Sequence, residues 1–516
     1  MSDPQPLNRQ TTDFARLVLV VLAVAAVFRL ILAANLGLGI DETYTVVTAR
    51  HLEWSYFDHP PLAWWIAGLT ERLAGTEWAP VVRLPFILLG CLTGWMLFLL
   101  TRLLFDARAG FLAVLAYVGA PVTGVTAGTF VVPDAPLMLA MVAGAYALAR
   151  ALFGPTGEAG RWWIAAGICG GLALLSKYHG IFLFAGAGLF LLTSAGQRRW
   201  FLSPWPYLGF LIAVAIFLPV LVWNAEHGWV SFLFQGGRGG EARLRPLAPL
   251  TVLGGQALFL LPWIWFGLMA TGIGALRRGP ADGRSWLLLC LGVGPILVFT
   301  LVAAWSSTRV FPHWAAPGYL MLFPLLGAAV SARWDKAGSH MRGWTKATAI
   351  VTGAAIILAS VFARIGWPPV AIAALEKMRD PLIETTDWHD LSAALAQRGL
   401  LGKPNTFATG LRWLHAAKID YGLRGQMPVL CLCDDPRGYG MLAPAEPFVG
   451  QDAVIVRPLP DIQSVESLIG KNFERIEPLG TVDITRAGKP SLQAELYLGH
   501  RLKPGWQPPW KQTGQR

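Results

Sequence analysis

Long apolar runs recur through the first two thirds of the chain and then stop. A bilayer's hydrocarbon core takes roughly 20 helical residues to cross. Runs that answer to this lie at about 17–39, 82–104, 109–126, 134–152, 162–176, 180–195, 205–223, 248–275, 285–304, 314–331 and 346–363. They predict about eleven spans, of which the third, fifth and sixth are short. From about 365 onward the apolar runs shrink and Pro and Gly punctuate them. There LQAELYL at 492–498 sets Leu492, Ala494, Leu496 and Leu498 against Gln493, Glu495 and Tyr497, the alternation of a half-buried strand. TGLRWLHAAKIDYGL followed by MPVLCLC reads as helix, then strand. The expected fold class is a mainly α polytopic membrane protein over residues 1–364, with a small α/β domain over 365–516.

Composition supports that division. The chain is 54% hydrophobic and 14% charged, where soluble domains carry roughly a quarter charged residues. A soluble enzyme is excluded, and so is a secreted protein with a single leader. The net charge of +11 belongs in cytoplasmic loops rather than on nucleic acid. With the N-terminus inside, fifteen Lys and Arg fall on inner segments and eight on outer ones, and an odd span count leaves the C-terminal domain outside. Cys91, Cys169 and Cys290 sit in apolar runs, and Cys431 and Cys433 share one face of the expected strand, a poor geometry for a mutual bridge. No Walker loop, HExxH or paired CxxC is present, which leaves ATP-driven transport and zinc proteolysis without a basis.

The first external segment, roughly 40–81, is the least membrane-like part of the first half. Asp41 and Glu42 follow the first span directly, where desolvation penalises a carboxylate. They are either a polar helix stop or functional groups. Val46, Val47, Leu52 and Trp54, then Trp64, Trp65 and Leu69, suggest helices lying in the interface. Such a loop suits a substrate with one lipid end and one polar end.

The acidic pair followed by YFDHPPL resembles the first external loop of polyprenyl-phosphate-sugar glycosyltransferases of the GT-C class. These are the protein O-mannosyltransferase and aminoarabinose-transferase-like enzymes of glycosyltransferase family 39 and its relatives. The resemblance continues, in the family's order, through VPDAPL at 132–137, LLSKYHG at 174–180, PVLVWNAEHGWVSFLFQGGR at 219–238 and HWAAPGYL at 313–320. It implies transfer, with inversion, of a sugar from a polyprenyl phosphate to a hydroxyl of an envelope lipid, glycan or protein. The lipid phosphate leaves on the outer face of a bacterial inner membrane. It also implies that Asp41, the first acidic residue of the pair, is the base; Glu42 is the second catalytic candidate beside it.

The leaving phosphate needs positive charge. Lys177 is the sole lysine in the first 335 residues, an ammonium among guanidiniums, unless it only snorkels from a helix end. Arg309 and Arg238 are the next cation candidates. His59, where aminoarabinose transferases have lysine, can touch phosphate or sugar, pack beside Pro60 and Pro61, or bind a metal. A metal would need several converging ligands from His51, His59, His179, His227 and His313, so no cofactor is required and a divalent ion is only weakly indicated. Asp134 is either a helix cap or, with Asp58 and His313, a contact for sugar or acceptor. Tyr178 can stack on a sugar. Arg-rich, Lys-poor usage suggests a GC-rich bacterium and an undecaprenyl or decaprenyl lipid. The alternative function is a transporter or flippase of a lipid-linked sugar, for which the two related halves usual in such proteins are not found. A third possibility is a non-catalytic assembly factor whose C-terminal domain binds cell-wall polymer.

Overall fold

The computed structural model describes residues 6–237, 244–306, 308–334, 338–365, 383–459, 463–486 and 488–510. Its helices of nine residues or more are α1 (Pro6–Asn35), α2 (Ile40–Ala49), α3 (Leu62–Ala74), α4 (Ala79–Leu104), α5 (Ala107–Gly119), α6 (Asp134–Phe153), α7 (Ala159–Ser176), α8 (Ile181–Thr193), α9 (Pro204–Glu226), α10 (Ala248–Leu260), α11 (Pro262–Arg278), α12 (Gly283–Leu301), α13 (Phe323–Trp334), α14 (Gly338–Ile365), α15 (His389–Gln397) and α16 (Trp413–Leu423). The strands are β1 (Thr406–Gly410), β2 (Val429–Leu430), β3 (Asp452–Pro458), β4 (Phe473–Arg486) and β5 (Lys489–Leu502).

Contacts divide the chain into two compact units. The first takes Met1–Leu30, His59–Ala63 and Arg83–Ile356, and the second takes Ile31–Asp58, Trp64–Val82 and Ile357–Arg516. Among the described residues six helices are long and apolar enough to cross a membrane, or up to ten if each of four bent helix pairs is one span. This count meets ten of the eleven expected runs. The remaining run is α7, whose Arg161, Trp162, Trp163 and glycines keep it out of that set.

In the first unit α6 is the central helix, with 72% of its most apolar window buried, against 33% for the span in α9. Exposed leucines and valines such as Leu88, Leu211 and Leu297 are what a lipid-facing surface requires. Gly167 of α7 and Gly209 of α9 lie so close that a methyl on either would meet the other helix's backbone, the small-residue contact of membrane bundles. The chain turns by 111° between α10 and α11, at Leu261, which takes φ +67° ahead of Pro262. A polar chain crosses this interior. Trp265 donates to the Tyr319 hydroxyl (2.8 Å), Tyr319 to Gln256 (2.7 Å), and Gln256 to Thr300 (3.2 Å). Each buried polar group thus has a partner where no water supplies one.

The second unit holds a five-stranded sheet in the order β2-β1-β3-β5-β4. β1 pairs parallel with β2 and β3, and β5 pairs antiparallel with β3 and β4. The alternation read at 492–498 is present, since Ala494, Leu496 and Leu498 are buried and Gln493 is exposed. The helix-then-strand reading also holds, as α16 and β2. However, β2 ends at Leu430. Cys431 and Cys433 therefore escape strand geometry, and their sulfurs lie 2.6 Å apart; the one-face expectation is corrected.

The expected boundary at 364/365 falls close to the change of unit after Ile356. The grouping of α2 and of most of α3 with the C-terminal residues was not foreseen. Aromatic contacts are part of its cause. Tyr44 meets Trp413 at 5.2 Å between ring centroids, and Phe57 meets Trp510 at 4.5 Å.

Candidate active site

In the first unit the site residues gather around the start of α6. Asp134 occupies its first turn without capping it, because Pro133 is the N-cap and no side chain closes that end. Its carboxylate instead receives Lys177, whose Nζ lies 3.1 and 2.9 Å from the two oxygens. Lys177 ends α7 in an extended conformation, φ −161° and ψ 145°, before a short turn at Tyr178–Gly180. That turn aims the ammonium inward. Lys177 is 6% exposed and Asp134 8%, so neither the snorkelling lysine nor the simple cap describes them.

His179 and His313 lie within electrostatic reach of both partners, and His59 within reach of His179. The His179 ring stacks on Phe299 at 4.5 Å and its Nε2 is buried without a hydrogen bond among the described residues. His313 packs between Phe259 and Phe311. Tyr178 rests on Phe232 at 5.1 Å and on Phe217 at 6.4 Å. Arg309 is exposed, its guanidinium 5.3 Å over Phe311, the ring that also packs against His313. Arg238 lies outside the described residues. Among the described residues no three His, Cys, Asp or Glu side chains are grouped to hold a metal.

In the second unit α2 separates the acidic pair. Glu42 is buried and turns back to accept the Gly39 N–H at 2.8 Å, satisfying a helix-end donor. Asp41, one residue earlier, is exposed. It sits in the first turn, where the helix dipole favours a carboxylate. Glu42 thus caps the helix end, and Asp41 is the exposed member of the pair.

Other side chains pin α2 in place. The Tyr44 hydroxyl donates to Asp58 at 3.3 Å and accepts the Gly438 N–H at 3.0 Å. Burial, then the Asp58 charge, push this phenol well above its ordinary value, so it stays a donor. Asp58 also receives Arg437 at 3.3 Å. The carboxylate expected to meet sugar or acceptor is occupied with holding the loop. Lys418, buried in α16, donates to the carbonyls of Leu38 and Thr386, and Arg50 bridges Glu77 and Asp420. Burial, then the neighbouring Glu77, push Glu71 up to about 7 from an ordinary 4.5. Sequence reading missed Arg437 and Lys418, and it weighed His179 only as one of five histidines from which a metal would need its ligands.

Residues 58–223 match the dolichyl-phosphate-mannose-protein mannosyltransferase family. The lipid A galacturonosyltransferase RgtD of Rhizobium johnstonii is 22% identical over 308 residues. That match spans 58% of this chain and 61% of the relative's length. Among solved structures, ArnT from Cupriavidus metallidurans bound to undecaprenyl phosphate superposes with a TM-score of 0.65 at 18% identity, covering 93% of this chain and 97% of that one. The Archaeoglobus fulgidus oligosaccharyltransferase in complex with zinc and sulfate reaches 0.52 at 14% identity, over 84% and 67% of the two chains. Matched along nearly its whole length by ArnT, and by a mannosyltransferase family across residues 58–223, the chain is a multi-pass membrane protein with the GT-C glycosyltransferase fold.

Proposed function

We propose that this protein transfers a sugar from a polyprenyl phosphate to a hydroxyl of an envelope lipid, on the outer face of a bacterial inner membrane. The observation that carries the reading is Lys177, a lone lysine buried at a turn between two apolar helices and surrounded by histidines. Its ammonium is paired with Asp134, and the neighbouring histidines add donors with which it can share an anionic ligand; a lipid phosphate is the anion a bilayer supplies. The likeness to ArnT bound to undecaprenyl phosphate, and to a lipid A galacturonosyltransferase, supports a polyprenyl donor and a lipid acceptor.

In this reading the acceptor hydroxyl loses its proton to Asp41 as its oxygen attacks the anomeric carbon. The bond to the phosphate oxygen breaks on the opposite side, and the configuration inverts. A positioned carboxylate base contributes typically about 10²–10⁴-fold. Lys177, with His59 and His179 nearby, takes the charge that develops on the departing phosphate. Asp134 sets the ammonium's direction. The N-terminus is cytoplasmic, and the C-terminal sheet and α2 are extracytoplasmic.

Purified protein incubated with radiolabelled polyprenyl-phosphate sugar and membrane lipids tests the reading. Label on a lipid together with free polyprenyl phosphate is the expected result. Donor recovered intact, with labelled sugar carried across a vesicle membrane, would replace the transferase by a flippase. Label on protein hydroxyls alone would keep the chemistry and overturn the lipid acceptor.

A further inference from the structure

Cys431 and Cys433 lie directly beyond β2. Their sulfurs, 2.6 Å apart, are inside the roughly 3.5–4.0 Å at which non-bonded heavy atoms settle. Cys431 is buried and Cys433 half-buried. The turn that follows carries two of the contacts that hold α2. Arg437, at φ +45°, lies 3.8 Å over the Trp413 ring and 3.3 Å from Asp58. The Gly438 N–H meets the Tyr44 hydroxyl at 3.0 Å, and a side chain at Gly438 would collide with that hydroxyl.

We infer that Cys431 and Cys433 are the site of an intramolecular disulfide that fixes the 434–438 turn and, through Tyr44 and Asp58, braces the helix bearing Asp41. The inference rests on the proposed function for the role of Asp41 and for the oxidising side on which this unit lies. The oxidant is a disulfide-bearing thiol oxidoreductase or a small disulfide. The Cys433 thiolate attacks the oxidant's disulfide and expels one thiolate. The Cys431 thiolate then attacks the Cys433 sulfur and expels the second. Two protein thiols give up two protons and two electrons, and the oxidant's disulfide leaves as two thiols.

So short a ring removes little entropy from the unfolded chain. The effect is therefore local, on where the turn sits, rather than on global stability. Burial pushes the Cys431 thiol up, with Cys433 beside it adding to the shift. This favours Cys433 as the sulfur that engages the oxidant first.

The sequence holds five cysteines. Full-length protein in detergent, equilibrated with oxidised glutathione, acid-quenched, denatured and tagged with a maleimide polymer, should take three tags. It should take five after reduction, and its intact mass without reductant should be lower by two hydrogens. The Cys431→Ser, Cys433→Ser double variant should take three tags in both states. Five tags after oxidation, or glutathione adducts that do not resolve, would overturn the bond whatever the protein's activity or orientation. For the brace, reduction should raise the acceptor KM of wild type and leave donor Kd unchanged, while the double variant should show the raised KM and ignore the reductant. An acceptor KM indifferent to reduction would overturn the brace, and a protein with the expected tags but no transfer would count against the proposed function instead.

Discussion

Replacing Lys177 by methionine keeps much of the side chain's length and removes its ammonium group. The structure changes what that experiment can say. Lys177 is held 2.9 Å from a carboxylate oxygen of Asp134, both side chains being nearly inaccessible. Removing one partner of such a pair leaves an uncompensated buried charge, typically costing about 3–5 kcal/mol. That is a large share of the roughly 5–15 kcal/mol by which domains are stable. Lost activity in the single variant would therefore be as consistent with misfolding as with lost phosphate binding. The double variant Lys177→Met, Asp134→Asn removes both charges and keeps both volumes, a change often near neutral in stability. If Lys177 holds the donor phosphate, the folded double variant loses one charge-assisted contact. This is worth about 1.5–3 kcal/mol, or roughly ten-fold to over a hundred-fold in Kd. Calorimetric titration of polyprenyl phosphate into protein in nanodiscs reads this, with the melting temperature as control for folding. Wild-type affinity in a double variant that melts like wild type would refute the assignment, leaving the pair as a structural tie between α6 and α7.

Asp41→Asn should lower turnover by about 10²-fold or more while donor binding survives, since the base acts on the acceptor; near-wild-type turnover by a folded variant would end the assignment. Glu42→Gln keeps an acceptor for the Gly39 N–H and should leave turnover near wild type, whereas Glu42→Ala should cost on the order of 1 kcal/mol in stability, read from the melting temperature; a loss of turnover in Glu42→Gln matching that of Asp41→Asn would return Glu42 to the chemistry. Glu71 is raised on folding, from an ordinary 4.5 to about 7, so its contribution to stability is fully present below pH ~4.5 and is lost as pH rises through about 7. Glu71→Gln should flatten the fall in melting temperature over that window, and an unchanged slope would show that Glu71 is not the source. A single cysteine at Gln463, in a chain otherwise without cysteine, should react with a membrane-impermeant maleimide in intact spheroplasts, and labelling only after lysis would reverse the orientation.

The membrane class and the span positions were readable without coordinates, because the length of an apolar run is a local property measured against the thickness of the bilayer. Lys177 was readable too, as the one ammonium in a stretch of guanidiniums, and so was the alternation of β5. The acidic pair was half readable. Successive helical residues point about 100° apart, so Asp41 and Glu42 had to part ways. The cap signature was hidden, however, because its N-cap is Gly39, which has no side chain to announce it. Folding alone decided the partnerships. Asp134 and Lys177 meet across 43 positions, and Asp58 and Arg437 across 379. These pairs exist because burial forces each charge to find an opposite one wherever packing has brought it. Which charge that is depends on how distant helices and turns come together, and no window of neighbouring residues contains it.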